Sequence, residues 1–338
     1  MAVRIQKPAV NIREKLAELE RPIGVNGAAL MATNTPQDAF SLIGAGRKNL
    51  MINGDFKISQ RGNYTSSTNI VHNTYYLDRW VTDKSAGITA TFRQITTDLP
   101  KQYRNENNTG LRFEATSSQS SAYIGFRQRY EFMSHLDGKF VTVSAWVKSN
   151  AKVVLINYDG SGGPYDYAQH SGSGQWEYLS YTTFITSTTY NYFDIFLIDP
   201  ITYSFMSISS GDYVEVTNYQ VEIGKTATPF EHRSYGEELA LCQRYFYVLP
   251  THYHFLHKNG YFESQLYYFP VTMRATPNIT DNGDWALVGF QSTSNIAHTG
   301  LSYNTHPDGF FLTSTTTNNS SFYTWIHIGA TIFASAEL

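Results

Sequence analysis

Cysteine is almost absent from this chain: Cys242 is the only one in 338 residues. No disulfide can form within the chain, so stability has to come from packing or from association. Charge is also scarce. Asp, Glu, Lys and Arg make up 16% of the residues, below the usual quarter, and the formal net charge is −3. A basic patch or stripe is the normal footprint of nucleic-acid binding, and this balance excludes a strong electrostatic case for it. No apolar run approaches the roughly 20 residues needed to cross a bilayer, so no membrane insertion is expected. After its first charges the N-terminus has no continuous apolar core, which argues against a secretory signal. The chain is therefore expected to be made in a cytoplasm and carried wherever its assembly goes. No internal repeat of fixed period is present.

What is abundant is aromatic. Aromatics reach 15%, with 25 Tyr and 21 Phe among them. Tyr, Phe and Thr suit a pleated, half-buried surface, so the composition predicts a mainly β protein and excludes disorder. From Asn49 to about Tyr235 strand patterns follow one another: 87–94, 111–115, 121–128, 140–148, 152–158, 175–184, 192–198 and 213–223. Val141, Val143, Ala145 and Val147 alternate with Thr142, Ser144, Trp146 and Lys148, the period of a strand with one buried face. Many such strands at short spacing predict a sandwich or barrel.

Three segments depart from this pattern. Over residues 11–20, Ile12, Leu16 and Leu19 have helical spacing behind a possible N-cap at Asn11. A second short helix is expected from Thr35, with Pro36 at its first position and Phe40 and Ile43 as apolar contacts. Two small helices separated by Pro22, Gly24 and Gly27 bury no core of their own. They are expected to lie against neighbouring subunits or a docking protein. Over residues 237–246, Leu239, Cys242 and Phe246 share one helical face, which predicts a helix linking two β domains and a packed thiol.

At the entry to the β region, Asn53-Gly54 is a turn dipeptide, and Phe56 and Ile58 alternate with Asp55, Lys57 and Ser59 as in a short strand. The whole string Arg47-Lys-Asn-Leu-Met-Ile-Asn-Gly-Asp-Phe56, then Gln60-Arg61-Gly62 and later Asp78-Arg79-Trp80, resembles the start of a β-sandwich module of tail fibres and other virion proteins of tailed bacteriophages. Residues 140–148 resemble the central strand of jelly-roll carbohydrate-binding modules, and residues 219–231 resemble their closing strand and exit. The Cys242-Gln-Arg-Tyr245 element and the region from Pro270 to Pro277, expected as strand followed by turn, resemble the connector and C-terminal part of phage fibres.

The resemblance implies a jelly-roll-like β-sandwich over residues 49–235 and a linker helix with a smaller C-terminal β tip domain over 236–338. Residues 1–48 become a helical virion-anchoring segment, with Ile12, Leu16, Leu19, Phe40 and Ile43 as anchoring contacts. It further implies a short, homotrimeric tail fibre that binds host surface polysaccharide, assembled in the host cytoplasm and not an enzyme. A capsid decoration protein and a polysaccharide depolymerase are the alternatives. Depolymerase fibres commonly use parallel β-helices of steady period, which this chain lacks. No Gly-x-Ser-x-Gly element, phosphate-binding glycine loop or Cys-x-x-Cys pair is present, and no cofactor is implied.

Aromatic-bearing loops with polar neighbours are candidate sugar contacts. In the loop from Asn157 to Trp176 these are Tyr165, Asp166, Tyr167 and His170, with Trp176 expected in the core. Residues 251–268 and 303–325 mix Tyr, Phe, His and Trp with Asn, Thr and Ser, and Tyr303, Tyr323 and Trp325 are the candidates there. His252 and His254 share a strand face, so three copies on a threefold axis would surround one metal ion. A lone His-x-His pair is more often surface, and no metal is assigned. Asp78-Arg79-Trp80 is expected to be a structural ion pair with a packed ring, holding the first strands together.

Overall fold

A computed structural model describes residues 48–100, 109–158, 166–186, 192–197, 206–249, 253–258, 261–264, 266–282, 287–289, 298–316, 324–326 and 331–337. The chain divides into two compact units, Met1–Lys48 and Asn49–Leu338. The helices expected in the first unit, with Ile12, Leu16, Leu19, Phe40 and Ile43, lie outside the described residues.

The second unit is mainly β. Its first fourteen strands are β1 (Thr68–Asn69), β2 (Tyr75–Leu77), β3 (Trp80–Lys84), β4 (Ala90–Ile95), β5 (Gly110–Ala115), β6 (Gln119–Ala122), β7 (Ile124–Arg129), β8 (Phe140–Ser149), β9 (Val154–Tyr158), β10 (Tyr167–Gln169), β11 (Trp176–Phe184), β12 (Tyr192–Leu197), β13 (Met206–Ile208) and β14 (Tyr213–Ile223). They form one sheet in the order β1-β4-β5-β14-β8-β11, a second in the order β10-β9-β12-β7-β3-β2, and a small β13-β6 ribbon. Phe92, Phe113, Val143 and Val216 from the first sheet share one apolar core with Trp80, Phe126, Phe193 and Ile195 from the second. This is a β-sandwich, and alternation explains it: each strand turns one row of side chains inward and the other outward. Val141, Val143, Ala145 and Val147 are fully buried, as the alternation predicts.

Helix α1 (Tyr235–Gln243) follows, capped by the Ser234 hydroxyl, which accepts from the Glu237 N–H. Cys242 is buried on it, and its thiol is pushed well up, first by burial. Beyond lie β15 (Phe246–Val248), β16 (Tyr253–Lys258), β17 (Tyr261–Ser264), β18 (Tyr267–Tyr268), β19 (Asn278–Asp281), β20 (Leu287–Gly289), β21 (His298–His306), β22 (Gly309–Thr316), β23 (Thr324–Ile326) and β24 (Ile332–Ser335). Leu249, Phe269, Met273, Phe310, Ile332 and Ala334 build a second, smaller core there.

Two local expectations are corrected. The entry segment is not a strand. Its Asn side chains take over the work of a ladder: Asn49 donates to the Tyr219 carbonyl (3.1 Å) and accepts from the N–H groups of Met51 and Val221. Asn53, at φ 60°, donates to the carbonyls of Ile58 and Asp78 and accepts from the Ile58 N–H. The Asn53-Gly54 turn does form, because the Phe56 N–H donates to the Asn53 carbonyl (3.0 Å). At Gly54 a Cβ would lie 2.2 Å from the Tyr219 carbonyl oxygen, so no larger residue fits without movement. Phe56 and Ile58 are buried as the alternation suggested, but by a loop closing the sandwich edge.

The stretch from Pro270 to Pro277 is likewise irregular, with its strand displaced to β19. Asp78 and Arg79, expected to pair with each other, take different partners. Asp78 faces Arg61 (3.4 Å), while Arg79 reaches Glu337 near the C-terminus.

Candidate functional site

The outward row of β8 is Thr142, Ser144, Trp146 and Lys148, opposite Thr182, Ser180, Tyr178 and Trp176 of β11. Trp146 and Tyr178 therefore sit side by side on the outer face of the first sheet, ring centroids 5.3 Å apart and tilted by 57°. Trp146 is half-buried and Tyr178 is 45% exposed. Burial pushes the Tyr178 hydroxyl pKa up, with a hydrogen bond to Ser144 acting the other way.

After β14 the chain folds back over this face. The Gln220 amide donates to the Thr228 carbonyl (3.2 Å), Glu222 accepts from the Thr228 N–H (2.8 Å), and the Glu231 N–H donates to Gln220 (2.8 Å). These bonds hold Ala227–Phe230 as a wall beside the two rings. Together they enclose a groove of about 290 Å³ lined by Ser144, Trp146, Tyr178, Asn218, Thr228 and Phe230, with Ala227 and Pro229 completing the wall.

Asn218 reaches the groove through a β-bulge. The β14–β8 register shifts between Thr217 and Gln220, and Asn218 takes φ 55° there. A bulge reverses the parity of a strand, so Tyr219 turns inward against Trp80 and Asn218 turns out. Asn218 is 3% exposed, and its amide nitrogen has no hydrogen-bond partner. An unmet donor at a buried site costs roughly 1–3 kcal/mol, so the groove holds an amide ready for an acceptor. None of the lining side chains is charged.

A larger cleft of about 470 Å³ is bordered by His72, Lys84, Gln119, Ser121 and Tyr123. Its one phenol ring, Tyr123, is tied by its hydroxyl to Asp83 (3.0 Å). It offers no paired aromatic faces.

None of the described residues expected to meet sugars lines this groove. Tyr165 is outside the described residues. Asp166 and Tyr167 are exposed at β10, an edge of the second sheet, and neither lines the groove. His170 is fully buried, and both ring nitrogens are used: one bonds the Gln175 carbonyl (2.9 Å) and the other accepts from the Gly172 N–H (2.9 Å). It fastens its loop and offers nothing to a ligand. Beside it, burial acts upward on the Glu177 carboxyl, but hydrogen bonds from Ser171 and Ser173 outweigh this and hold its pKa at about 2. Trp176, expected in the core, faces outward and donates to the Asp98 carbonyl (2.7 Å).

In the C-terminal part, Tyr303 packs against the second core near Phe310, and its hydroxyl donates to Asp281. It is a packing residue. Tyr323 and His252 lie outside the described residues, and the backbone register sets Trp325 opposite His254. Trp146 could have been found from sequence, because alternation already placed it outward. Asn218 also left a trace: the inward residues change parity between Val216 and Tyr219.

No family model matches the chain, and no curated protein matches it. Among solved structures, TmCBM61 in complex with β-1,4-galactotriose is similar at 12% identity and TM-score 0.32, over 53% of this chain and 100% of that one. The enzymatically active domain of bacteriophage CBA120 tailspike protein 4 is similar at 13% identity and TM-score 0.31, over 52% of this chain but 21% of that one. A family 11 carbohydrate-binding module from Clostridium thermocellum, in complex with a β-1,3-1,4-mixed-linked tetrasaccharide, gives 11% identity and TM-score 0.27, over 48% and 98%. At scores this low the likeness carries no argument about function.

Proposed function

We propose that this chain is an attachment protein of a tailed phage virion, and that its sandwich holds an uncharged host glycan in the Trp146–Tyr178 groove. The observation that carries the glycan reading is the unpartnered Asn218 amide in an uncharged groove that Trp146, Tyr178 and Phe230 also line. Sugar rings present C–H faces to aromatic planes and hydroxyls to amides, and this lining answers both needs. The lining carries no carboxylate, imidazole or thiol, which supports binding over catalysis at the groove.

Trp146→Ala is expected to weaken retention by neutral envelope polysaccharide at least tenfold in affinity electrophoresis, about 1.4 kcal/mol or more, with the thermal midpoint little changed. Equal retention of the variant and the parent would remove the groove from the argument. Release of reducing ends from the same polysaccharide would turn the reading to the depolymerase.

The phage assignment rests on the entry string through Phe56, on Asp78-Arg79-Trp80 and on Cys242-Gln-Arg-Tyr245. On this reading the protein is a trimeric short tail fibre whose residues 1–48 dock to the particle. Deleting those residues is expected to leave a folded β protein that no longer joins virions. Normal incorporation of the truncated chain would place the anchor elsewhere, and light scattering of a stable micromolar monomer would rule out an obligate trimer. Antibody labelling of particles in the electron microscope separates tail from capsid decoration.

A further inference from the structure

We propose that the groove is one end of a longer track, and that its ligand is a linear glycan chain of several rings lying along β11. The inference rests on the glycan reading above. Four cross-strand pairs share the outer face in succession: Trp146–Tyr178, Ser144–Ser180, Thr142–Thr182 and Phe140–Phe184. The first and last pairs are aromatic, and the two between carry only hydroxyls. Phe140 and Phe184 touch at a centroid distance of 4.9 Å and are 39% and 46% exposed. Six residue steps separate the two aromatic pairs, which is about 20 Å of strand.

The wall runs the whole way. The Gly224 N–H donates to the Phe140 carbonyl (2.9 Å), and the Thr142 hydroxyl donates to the Gly224 carbonyl (2.9 Å). The Thr182 hydroxyl donates to the Lys225 carbonyl (3.3 Å), and the Lys225 ammonium sits 3.9 Å from the Phe140 ring centre. From there the segment passes to Thr228, Pro229 and Phe230 at the groove. Because Ser144 and Thr142 are only 2% exposed, the open floor is the β11 row of Tyr178, Ser180, Thr182 and Phe184. β11 is the edge strand of its sheet, and among the described residues no further strand pairs with its outer side.

A single sugar would fill the groove and leave Phe184 uncovered beside Phe140, whose ring the Lys225 ammonium already covers. A chain of rings accounts for both ends: aromatic side chains at the termini, the exposed Ser180 hydroxyl and the accepting side of the Thr182 hydroxyl between them, and the wall alongside. Glu222, the carboxylate under the wall, is buried and hydrogen-bonded to Thr228, so the middle of the track presents no charge. A chain that is uncharged over that length fits.

The test uses the full-length protein and linear cello-, manno- and galacto-oligosaccharides from disaccharide to hexasaccharide, with affinities read by calorimetry and association state by sedimentation. Affinity for the series that binds is expected to rise at least tenfold with length. Phe184→Ala should abolish that gain, so that long and short chains bind alike, with sedimentation unchanged. Trp146→Ala should lose every length. Binding that needs Trp146 but is indifferent to length and to Phe184 would overturn the track and leave the groove. A change of association state in Phe184→Ala would make the phenylalanine pair an interface between copies and also overturn it. Absence of any Trp146-dependent binding would remove the groove reading, and the track with it.

Discussion

Trp80→Ala is expected to cost the sandwich about 3–5 kcal/mol, the range for deleting a large buried aromatic. Trp80 is fully buried at the junction of three elements. Its ring lies 4.8 Å from Phe56 of the entry loop and 5.1 Å from Tyr219 of the β14 bulge. Its indole N–H donates to the Asn53 carbonyl (2.9 Å). Removing it opens a cavity beneath the loop and takes away the contact that seats Tyr219. Trp80→Phe keeps much of the stacking but loses the donor, and about 1–2 kcal/mol is expected. Urea unfolding followed by far-ultraviolet circular dichroism measures both. A cost below about 1 kcal/mol for the alanine variant would mean that the loop is held by its hydrogen bonds and not by the Trp80 ring.

The same junction shows which parts of the molecule were legible in the sequence. β5, β8 and β14 match their expected spans to within a residue, because apolar–polar alternation, interrupted only at the β14 bulge, decides which row each strand turns to the core. The entry loop misled because Phe56 and Ile58 alternate just as strand residues do. Periodicity reports which side chains are buried, not whether a neighbouring strand supplies the hydrogen bonds. There β14 makes two backbone bonds, Leu50 N–H to the Val221 carbonyl and Tyr219 N–H to the Gly54 carbonyl, and Asn49 and Asn53 supply others from their side chains.

The site was harder to read than the fold. Aromatic density pointed to the C-terminal part, yet Tyr303 there is spent on packing. The groove uses few aromatics, brought together from β8, β11 and the segment after β14, and no local pattern announces that meeting. His170 shows the converse error. A histidine in a polar, glycine-rich loop looks available, but such a loop needs internal fasteners, and the imidazole is one.

Glu337→Ala is expected to be as damaging as the loss of Trp80, at about 3–5 kcal/mol, because it strands a buried cation. Arg79 is 2% exposed and donates to Glu337, with its other amino group on the Arg129 carbonyl (2.8 Å) and its plane 3.6 Å from the centre of the Tyr245 ring. Arg61 bridges Glu337 (3.1 Å) and Asp78 (3.4 Å) and lies 3.5 Å from the ring centre of Phe246. One carboxylate near the C-terminus thus ties the sandwich to the start of the second β region.

The cluster also sets a pH dependence. Burial, the largest cause, pushes the Asp78 carboxyl pKa up to about 6, against the opposing pull of Arg61 and of hydrogen bonds from Gln60. A carboxyl whose pKa is higher folded than unfolded binds its proton more tightly in the native state. Its contribution is therefore full below the unfolded value of 3.8 and is lost as pH rises through about 6. The two-unit shift corresponds to at most about 3 kcal/mol. The parent should melt higher at pH 5 than at pH 7, and Asp78→Asn should lose Asp78's share of that gain. Glu337 raises the Asp78 pKa by its charge, so in Glu337→Gln the step should move to lower pH. An identical melting profile across pH 5–7 in the parent and Asp78→Asn would show that Asp78 is ionised without strain in the native cluster.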